Sequence, residues 1–204
     1  MKTPDYLLLV NAEHQMPEEF PKTVELVWTE SAMGNKIQVE KQTYAAFLRM
    51  KEDLWKEDGI EAGLSNSYRT IEKQEEIYTR YTREFGPAYA AKYAAKPGHS
   101  EHHTGLAIDV GIVQDGKFYH TIEELLSVDH LFQVIHQKLP RYGFLLRYPG
   151  GKESVTGIGY EPWHFRYIDS SDIAKEITDQ GLCLEEYLVR NDGSPKNEGL
   201  ADVF

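Results

Sequence analysis

The sequence predicts an α+β domain built around an antiparallel sheet. Strand-like and helix-like segments are interspersed along the chain without a regular strand–helix repeat. Several strand-like segments are separated by only a few residues, which is the spacing of hairpins rather than of parallel crossovers. A chain of 204 residues is long enough to bury one core of this kind.

The first half of the chain has two strand-like segments and then helical patterns. "YLLLV" and "TVELVW" predict short strands, with Pro17 and Pro21 between them. From Val39 to Asp58 apolar residues recur at helical spacing, and Gly59 closes that helix. "GIEAGLSNSYRT" predicts a strand that leads into a turn, after which Thr70 is a suitable N-cap for a second helix.

The second half alternates between the two kinds of element. Gly86 and Pro87 end the second helix, and "AYAAKYAAK" predicts another short one. "GLAIDVGIV" alternates like a strand, and "GKFYH" can pair with it across a turn. "TIEE" is a capping box that opens a helical stretch ending at Pro140. "YGFLLRY" and "WHFRYI" predict strands, and two helices follow, from about Ser171 to Gly181 and over "LEEYLVR".

Charge, cysteine content and the N-terminal sequence restrict the class of protein. Thirty-three acidic residues against 22 basic ones give a net charge of -11, and there is no basic run, so we expect no nucleic-acid partner. No stretch approaches the roughly 20 apolar residues that cross a membrane, and "MKTPDYLLLVNAEH" lacks the pattern of a secretory signal. A single cysteine, Cys183, cannot form an internal disulfide and is expected to be a buried, inert thiol.

These observations predict a cytoplasmic protein without a membrane partner. We expect one domain over residues 1–190 and a polar C-terminal tail over residues 191–204. The sequence makes no prediction of the oligomeric state.

Residues 97–111, "PGHSEHHTGLAIDVG", hold three histidines within five positions and then Asp109. Catalytic zinc sites use three protein ligands, usually histidines and one carboxylate, and keep a fourth position for water. "YEPWHFRY" offers His164 as a ligand from elsewhere in the chain, with Glu161 three residues before it. Because Pro162 lies between them, this is not the helical H-E-x-x-H arrangement, and the two side chains must meet across an extended turn.

Strand alternation bears on which histidine accompanies Asp109. In "GLAIDVG" alternate residues suit the core face: Leu106, Ile108 and Val110. Asp109 shares the opposite face with small neighbours, which leave room for an ion. Extending this alternation backwards selects His103 rather than His102, but a bulge at Gly105 would reverse the choice. The residue pattern alone leaves both histidines open.

"SEHHTGLAID" fits the pattern S-x-H-x-x-G-x-A-x-D. With "SYRT" upstream and "EPWH" downstream, the chain resembles the VanY/VanX-type D-alanyl-D-alanine peptidases over about residues 7–188. The resemblance implies a hedgehog/DD-peptidase-like fold, with a central antiparallel sheet flanked by helices, and one zinc ion. In that pattern the zinc ligands fall on His102, Asp109 and His164, and the general base falls on Glu161.

The resemblance also implies residues that contact the substrate. Arg69 in "NSYRT" would pair with the free carboxylate of a peptide and assist catalysis, and Ser100 would donate a hydrogen bond to the same group. Gln74 is a further candidate contact, and Trp163 would wall the pocket; a capping role for Ser100 and a core position for Trp163 are the alternatives. His103 stands where the family commonly carries glutamine, and is expected beside the ligands rather than among them. Further candidates for the rim of the pocket are Tyr68, Arg147 and Tyr148.

Three functions are compatible with these motifs. The first is a D,D-peptidase that hydrolyses D-Ala-D-Ala, as the free dipeptide or at the end of a pentapeptide precursor, similar to the cytoplasmic bifunctional dipeptidase/carboxypeptidases linked to vancomycin resistance. The second is an L,D-carboxypeptidase that removes D-Ala from tetrapeptide stems. The third is a zinc-containing protein-binding domain of the hedgehog-like branch, which Glu161 argues against because such a domain needs no carboxylate beside the metal.

Overall fold

This computed structural model describes residues 4–191 of the chain, which contain seven strands and eight α-helices. The strands are β1 (Leu26–Glu30), β2 (Lys36–Glu40), β3 (Glu61–Asn66), β4 (Ala107–Gln114), β5 (Lys117–Tyr119), β6 (Phe144–Leu146) and β7 (His164–Tyr167). The helices are α1 (Lys41–Asp58), α2 (Ile71–Phe85), α3 (Pro87–Tyr93), α4 (Ile122–Ser127), α5 (Asp129–Lys138), α6 (Glu153–Thr156), α7 (Ser171–Asp179) and α8 (Leu184–Asn191). The tail predicted over residues 191–204 lies, apart from Asn191, outside the described residues.

Strand β4 is the centre of a five-stranded sheet in which every pairing is antiparallel. Strand β3 pairs with one edge of β4. Along the other edge, β7 pairs with the first residues of β4 and β5 with its last ones, and β6 continues the sheet beyond β7. Strands β1 and β2 form a separate two-stranded hairpin. The α+β class with an antiparallel sheet, predicted from the sequence, is confirmed.

The side chains on one face of β4 pack in the main hydrophobic core. This core joins side chains of the central strand to α1 and α5: Phe47, Met50, Leu54, Ile108, Val110, Phe132 and Ile135. Burying a side chain of this size stabilises the fold by roughly 1.5–3 kcal/mol. A second apolar cluster joins α7 and α8 to Leu145 and Ile168 at the β6 side of the sheet. Because side chains alternate along β4, Asp109 faces away from the main core.

Several predicted helix signals are present in the structure. The Thr70 side chain accepts the Lys73 N–H at the start of α2. Gly59, with φ +69°, ends α1 in the left-handed conformation. The capping box of "TIEE" opens α4, although the helical stretch to Pro140 is broken at Val128, whose backbone (φ −110°, ψ 23°) leaves the helical region.

One predicted strand and one predicted helix start in the N-terminal part of the chain are wrong. "YLLLV" is not a strand, since the carbonyl oxygens of Tyr6 and Leu8 accept hydrogen bonds from the buried guanidinium of Arg166 at 3.1 and 2.8 Å. The helix predicted from Val39 begins at Lys41 instead. Glu40 is extended, pairs with Leu26 as the last residue of β2, and caps α1 by accepting the Thr43 N–H at 2.7 Å.

Cys183 is buried, as predicted. Within residues 4–191 none of the helices combines the length and the apolar character needed to cross a lipid bilayer.

Candidate metal centre

His102, Asp109 and His164 come together at the start of β4. Asp109 and His164 are direct partners in the antiparallel register of β4 and β7, so their side chains leave the sheet on the same side. His102 lies in the 3₁₀ turn Glu101–Thr104, which immediately precedes β4. One nitrogen from each imidazole and one carboxylate oxygen all lie within 4.8 Å of one another. Both histidines are buried, and Asp109 is partly exposed.

Hydrogen bonding fixes which nitrogen of His102 faces the centre. Its Nδ1 lies 2.7 Å from the Ser67 carbonyl oxygen, so this nitrogen carries the proton, and Nε2 lies 3.2 Å from Asp109 Oδ2. On the other side of the carboxylate, His164 Nδ1 lies 3.0 Å from Asp109 Oδ1. Two imidazole nitrogens and one carboxylate oxygen converging in this way are a donor set that suits zinc.

The pKa values of the two histidines move in opposite directions. Burial lowers the pKa of His102 to about 4, which keeps this imidazole neutral, as a metal ligand must be. Burial alone would lower the pKa of His164 as well. The hydrogen bond to Asp109 and the nearby carboxylate of Glu101 outweigh burial and raise the pKa of His164 to about 9.

His103 does not join this group. Its Nδ1 lies 2.7 Å from the Arg69 carbonyl oxygen, and its Nε2 accepts the Gly98 N–H at 3.1 Å. Gly105 takes the left-handed conformation (φ +74°) and ends the 3₁₀ turn, so the alternation of β4 does not extend back to the histidines. The alternation argument that selected His103 is therefore wrong, and the side chain instead ties the turn to the segment that carries Arg69.

Glu161 lies beside the three side chains without belonging to the group. It is buried, and its Oε2 lies 3.8 Å from His164 Nδ1. Burial, reinforced by the charge of Asp109, raises the pKa of Glu161 to about 8. The backbone around it is held by His136, which no sequence pattern singled out and whose Nε2 lies 2.8 Å from the Pro162 carbonyl oxygen.

Arg69 reaches the same pocket from the segment before α2. Its side chain is only 12% exposed, and one guanidinium nitrogen lies 3.9 Å from Asp109 Oδ2. Another donates to Gln74 Oε1 at 2.6 Å, while Gln74 Nε2 donates to the Ala95 carbonyl oxygen at 2.7 Å. Both ends of the Gln74 amide are thus engaged within the protein. This geometry suits a residue that holds Arg69 in place; Gln74 also lines the pocket, and the direct substrate contact expected from the sequence stays a prediction.

Ser100 takes the capping role and also lies at the pocket, so its hydrogen bond to a substrate stays a prediction, whereas Trp163 occupies both positions considered for it. Ser100 caps the 3₁₀ turn, its Oγ accepting the His102 N–H at 3.4 Å, and it also lines the pocket. Trp163 packs in the main core and forms part of the pocket wall.

The pocket at this centre has a volume of about 360 Å³, which falls in the range of small-ligand sites. Besides the candidate ligands and Arg69, it is lined by Tyr81, Tyr93 and Tyr148. The Tyr148 ring lies 4.7 Å from that of His164, so the predicted rim position of Tyr148 is a buried wall instead.

Arg147, the other candidate for the rim, lies behind the centre. It is buried and donates to Glu101 at 2.8 Å and to Glu185 at 2.9 and 2.6 Å. Arg166 of β7 donates to the same Glu101 oxygen at 2.6 Å. Sequence reasoning missed this buried network, for which the available signal was an arginine inside each of the apolar segments "GFLLRY" and "WHFRYI".

The chain matches proteins of known sequence over most of its length. Residues 36–170 match the VanY family, described as D-alanyl-D-alanine carboxypeptidase. The bifunctional D-Ala-D-Ala dipeptidase and carboxypeptidase VanXYC of Enterococcus gallinarum is 36% identical over 188 residues, covering 89% of this chain and 92% of that protein. A D-alanyl-D-alanine carboxypeptidase of Enterococcus faecalis is 34% identical over 194 residues, and the match spans 89% of this chain but only 65% of that protein.

Solved structures share the fold. A mutant of the vancomycin-resistance D,D-pentapeptidase VanY in complex with Zn(II) is 31% identical, with a TM-score of 0.73 over 90% of this chain and 98% of that one. The D,D-dipeptidase VanXYg, bound to a D-Ala-D-Ala phosphinate analogue, is 31% identical, with a TM-score of 0.75 over 91% and 70%. The LD-carboxypeptidase LdcB is 32% identical, with a TM-score of 0.75 over 91% and 87%. The predicted hedgehog/DD-peptidase-like fold is therefore confirmed.

Proposed function

Because the chain belongs to the VanY family of D-alanyl-D-alanine carboxypeptidases, we propose that it is a zinc peptidase that releases D-Ala from small peptides. The substrates we propose are the free D-Ala-D-Ala dipeptide and the pentapeptide precursor that ends in it. One observation carries the proposal: His102, Asp109 and His164 converge, and the buried carboxylate of Glu161 lies next to them without joining them.

His102 Nε2, His164 Nδ1 and a carboxylate oxygen of Asp109 would hold one zinc ion. When bound, zinc polarises the scissile carbonyl and lowers the pKa of a water molecule from 15.7 to about 7. The exposed part of Asp109 and the open pocket leave one side of this centre accessible to solvent and substrate.

Glu161 is the group that we propose moves protons. Its carboxylate would accept a proton from the attacking water and then deliver a proton to the amine of the departing D-Ala. Because Glu161 is buried next to the candidate ligands, little solvent competes for its carboxyl group. With its pKa raised to about 8, both the protonated and the ionised carboxyl group are populated near neutral pH, as a group that accepts and then donates a proton requires.

Arg69 is the group that we propose binds the carboxylate of the terminal D-Ala. A guanidinium can donate two parallel hydrogen bonds to a carboxylate, and Gln74 fixes its orientation before the substrate arrives. The Ser100 hydroxyl, which lines the same pocket, would donate a further hydrogen bond to that carboxylate.

A second substrate class has support from one of the comparisons. LdcB, an LD-carboxypeptidase, matches this chain with the same TM-score of 0.75 as VanXYg. An L,D-carboxypeptidase acting on tetrapeptide stems is therefore the alternative, with the same residues in the same roles.

One assay tests both classes. Zinc-loaded protein is incubated with D-Ala-D-Ala, a pentapeptide stem and a tetrapeptide stem, and free D-Ala is measured. We expect release from the dipeptide, the pentapeptide or both; release from the tetrapeptide alone would establish the alternative. No release from any of them, with retention of a protein partner instead, would establish a binding domain.

Glu161→Gln supplies the control for that assay. It should reduce kcat by about 10²–10⁴-fold, because the proton-transfer group is lost while the fold and zinc content remain. Removal of D-Ala-D-Ala would connect the protein with vancomycin resistance, as in the names of its relatives. The cytoplasmic location remains a prediction, which fractionation of the producing cells would test.

A further inference from the structure

Glu101 lies directly before His102 in the 3₁₀ turn, but its side chain points behind the candidate metal centre. It is fully buried, and one of its oxygens, Oε1, accepts hydrogen bonds from Arg147 at 2.8 Å and from Arg166 at 2.6 Å. Two guanidinium groups therefore hold this carboxylate in a single orientation.

The second oxygen of the same carboxylate has no partner. Within residues 4–191 two buried side-chain polar atoms lack a hydrogen bond, Glu101 Oε2 and His164 Nε2, and they lie 3.7 Å from each other. Leaving such a group unpaired typically costs about 1–3 kcal/mol. A charged hydrogen bond of this kind has a length of about 2.7–2.9 Å, so a relative movement of roughly 0.9 Å would pair both atoms.

This pairing would decide which nitrogen of His164 keeps a proton once Nδ1 gives up its own to bind a metal ion. Its Nδ1 faces Asp109 at 3.0 Å, on the side where His102 also lies. An imidazole that offers the Nδ1 lone pair must carry its proton on Nε2. Nε2 points at Glu101, which is fixed by two arginines and can only accept.

We propose that Glu101 is a positioning residue: its Oε2 accepts the Nε2 proton of His164 and so directs the Nδ1 lone pair at the metal. This inference rests on the metal centre of the proposed function. The Nδ1 of His102, the nitrogen that faces away from the candidate metal centre, already has such an acceptor, the Ser67 carbonyl oxygen at 2.7 Å. Each candidate histidine ligand would then donate its second ring N–H to an acceptor that fixes the orientation of the ring, as is usual for metal-binding histidines.

Glu101→Gln reverses the direction of this hydrogen bond with almost no change of shape. Arg147 and Arg166 only donate, so the amide oxygen of the new side chain must take the place of Oε1. Its NH₂ group then faces His164 and favours the tautomer with the proton on Nδ1, where zinc should bind. We therefore expect zinc to bind about 10–100-fold more weakly.

Glu185→Gln is the matched control. Glu185 pairs at 2.9 and 2.6 Å with the two terminal guanidinium nitrogens of Arg147, whereas Glu101 accepts from Nε. The substitution removes the same charge from the same network, but leaves the contact between Glu101 and His164 in place. We expect its zinc affinity to stay within about threefold of that of the unmodified protein.

The experiment measures the zinc Kd of the three proteins by competition with a chromophoric chelator, after circular dichroism has shown that each is folded. Long-range ¹H–¹⁵N spectra of the zinc-loaded proteins report the second signature. The unmodified protein and Glu185→Gln should show a slowly exchanging Nε2 proton on His164, and Glu101→Gln should not.

Equal zinc affinity of Glu101→Gln and the unmodified protein would overturn the positioning role and leave the proposed function intact. If Glu101→Gln does not fold, the unmodified protein still decides: a zinc-loaded His164 without the slowly exchanging Nε2 proton overturns the inference. If the unmodified protein binds no zinc, the proposed function fails together with it.

Discussion

The side chain of Glu161 is buried beside Asp109 and His164, and its pKa reflects that position. Burial raises the pKa of this carboxyl group to about 8, from an ordinary value of 4.5. Between these two pH values the folded chain keeps a proton that the unfolded chain has lost, so this group makes the stability fall as the pH rises.

Glu161→Gln should remove that fall, because an amide does not ionise. In zinc-free protein the variant should gain little in Tm over the unmodified chain near pH 4, and should gain most above pH 8. Thermal unfolding in the presence of a chelator, from pH 4 to pH 9, measures the difference. Parallel Tm profiles for the two proteins would show that the carboxyl group titrates normally.

Gln74 offers a test of how Arg69 is held. Gln74→Met keeps the size of the side chain, but removes the acceptor that lies 2.6 Å from the guanidinium. A hydrogen bond to a charged group is worth about 1.5–3 kcal/mol, so KM for a peptide with a free carboxylate should rise by roughly 10–100-fold. The measurement is kcat and KM for that peptide and for its C-terminal amide. For the amide, which lacks the charge that Arg69 is proposed to bind, the substitution should matter little; an equal rise in KM would instead indicate that Gln74 contacts the substrate directly.

The choice between His102 and His103 shows where residue patterns stop being informative. Alternation correctly assigned Ile108 and Val110 to the core and Asp109 to the opposite face, because these residues lie within β4. The histidines precede the strand, in a 3₁₀ turn whose periodicity differs from that of a strand. The family resemblance, rather than the alternation, selected the histidine that the structure places beside Asp109.

The junction between that turn and β4 depends on Gly105. Its φ of +74° is a conformation that side chains rarely adopt, and a Cβ there would lie 2.7 Å from Leu26 Cδ2 and 3.3 Å from the Glu40 backbone nitrogen. Gly59, at the end of α1, has a similar φ of +69°, but a Cβ added to it would meet no other atom within 4 Å. The two glycines therefore separate backbone strain from crowding.

Gly59→Ala should lower the free energy of unfolding by about 1–2 kcal/mol, the cost of placing alanine in the left-handed conformation. Gly105→Ala should cost about 1–3 kcal/mol more, since Leu26 and the hairpin of β1 and β2 must also move. Urea denaturation of the two variants measures both losses. An equal loss of unfolding free energy in the two variants would mean that the hairpin moves at little cost and does not hold the turn that carries His102 in place.

Elements were predicted well where local signals determine them, and poorly where distant contacts do. The caps at Thr70 and Thr121 are local hydrogen bonds, and both were identified from the sequence. "YLLLV" has the composition of a strand, but its carbonyl groups bond to Arg166, about 160 residues further along the chain. Nothing near that segment in the sequence could show this partner.

The buried arginines and glutamates behind the candidate metal centre show that distant contacts also determine how the whole domain packs, and that local sequence does not reveal them. Arg147 was expected at the rim of the pocket, yet Glu101 and Glu185, 46 and 38 positions away, enclose it. An arginine within an apolar segment indicates that a buried partner exists, but not which carboxylate supplies it. Through the family resemblance the sequence could predict which residues converge at the candidate metal centre, whereas the network behind it follows only from the three-dimensional structure.

The candidate ligands come from separate parts of the chain, the turn before β4, β4 itself and β7, so the full set exists only in the folded state. Zinc should therefore stabilise the protein, by about 2.7 kcal/mol when free zinc is 100 times its Kd. For a domain of this size that corresponds to a rise in Tm of roughly 5–11 °C.

Asp109→Asn keeps the shape of the side chain but removes the carboxylate ligand, leaving two histidines where zinc sites use three or four protein ligands, so its Tm should respond far less to zinc. Mg²⁺ at the same concentration should leave both proteins unchanged, because it prefers oxygen ligands and octahedral geometry. Thermal unfolding of chelator-treated protein, with and without each ion, makes the comparison. An equal zinc-induced shift in both proteins would place the ion elsewhere, since the Asp109 carboxylate lies between the two imidazoles of the candidate site.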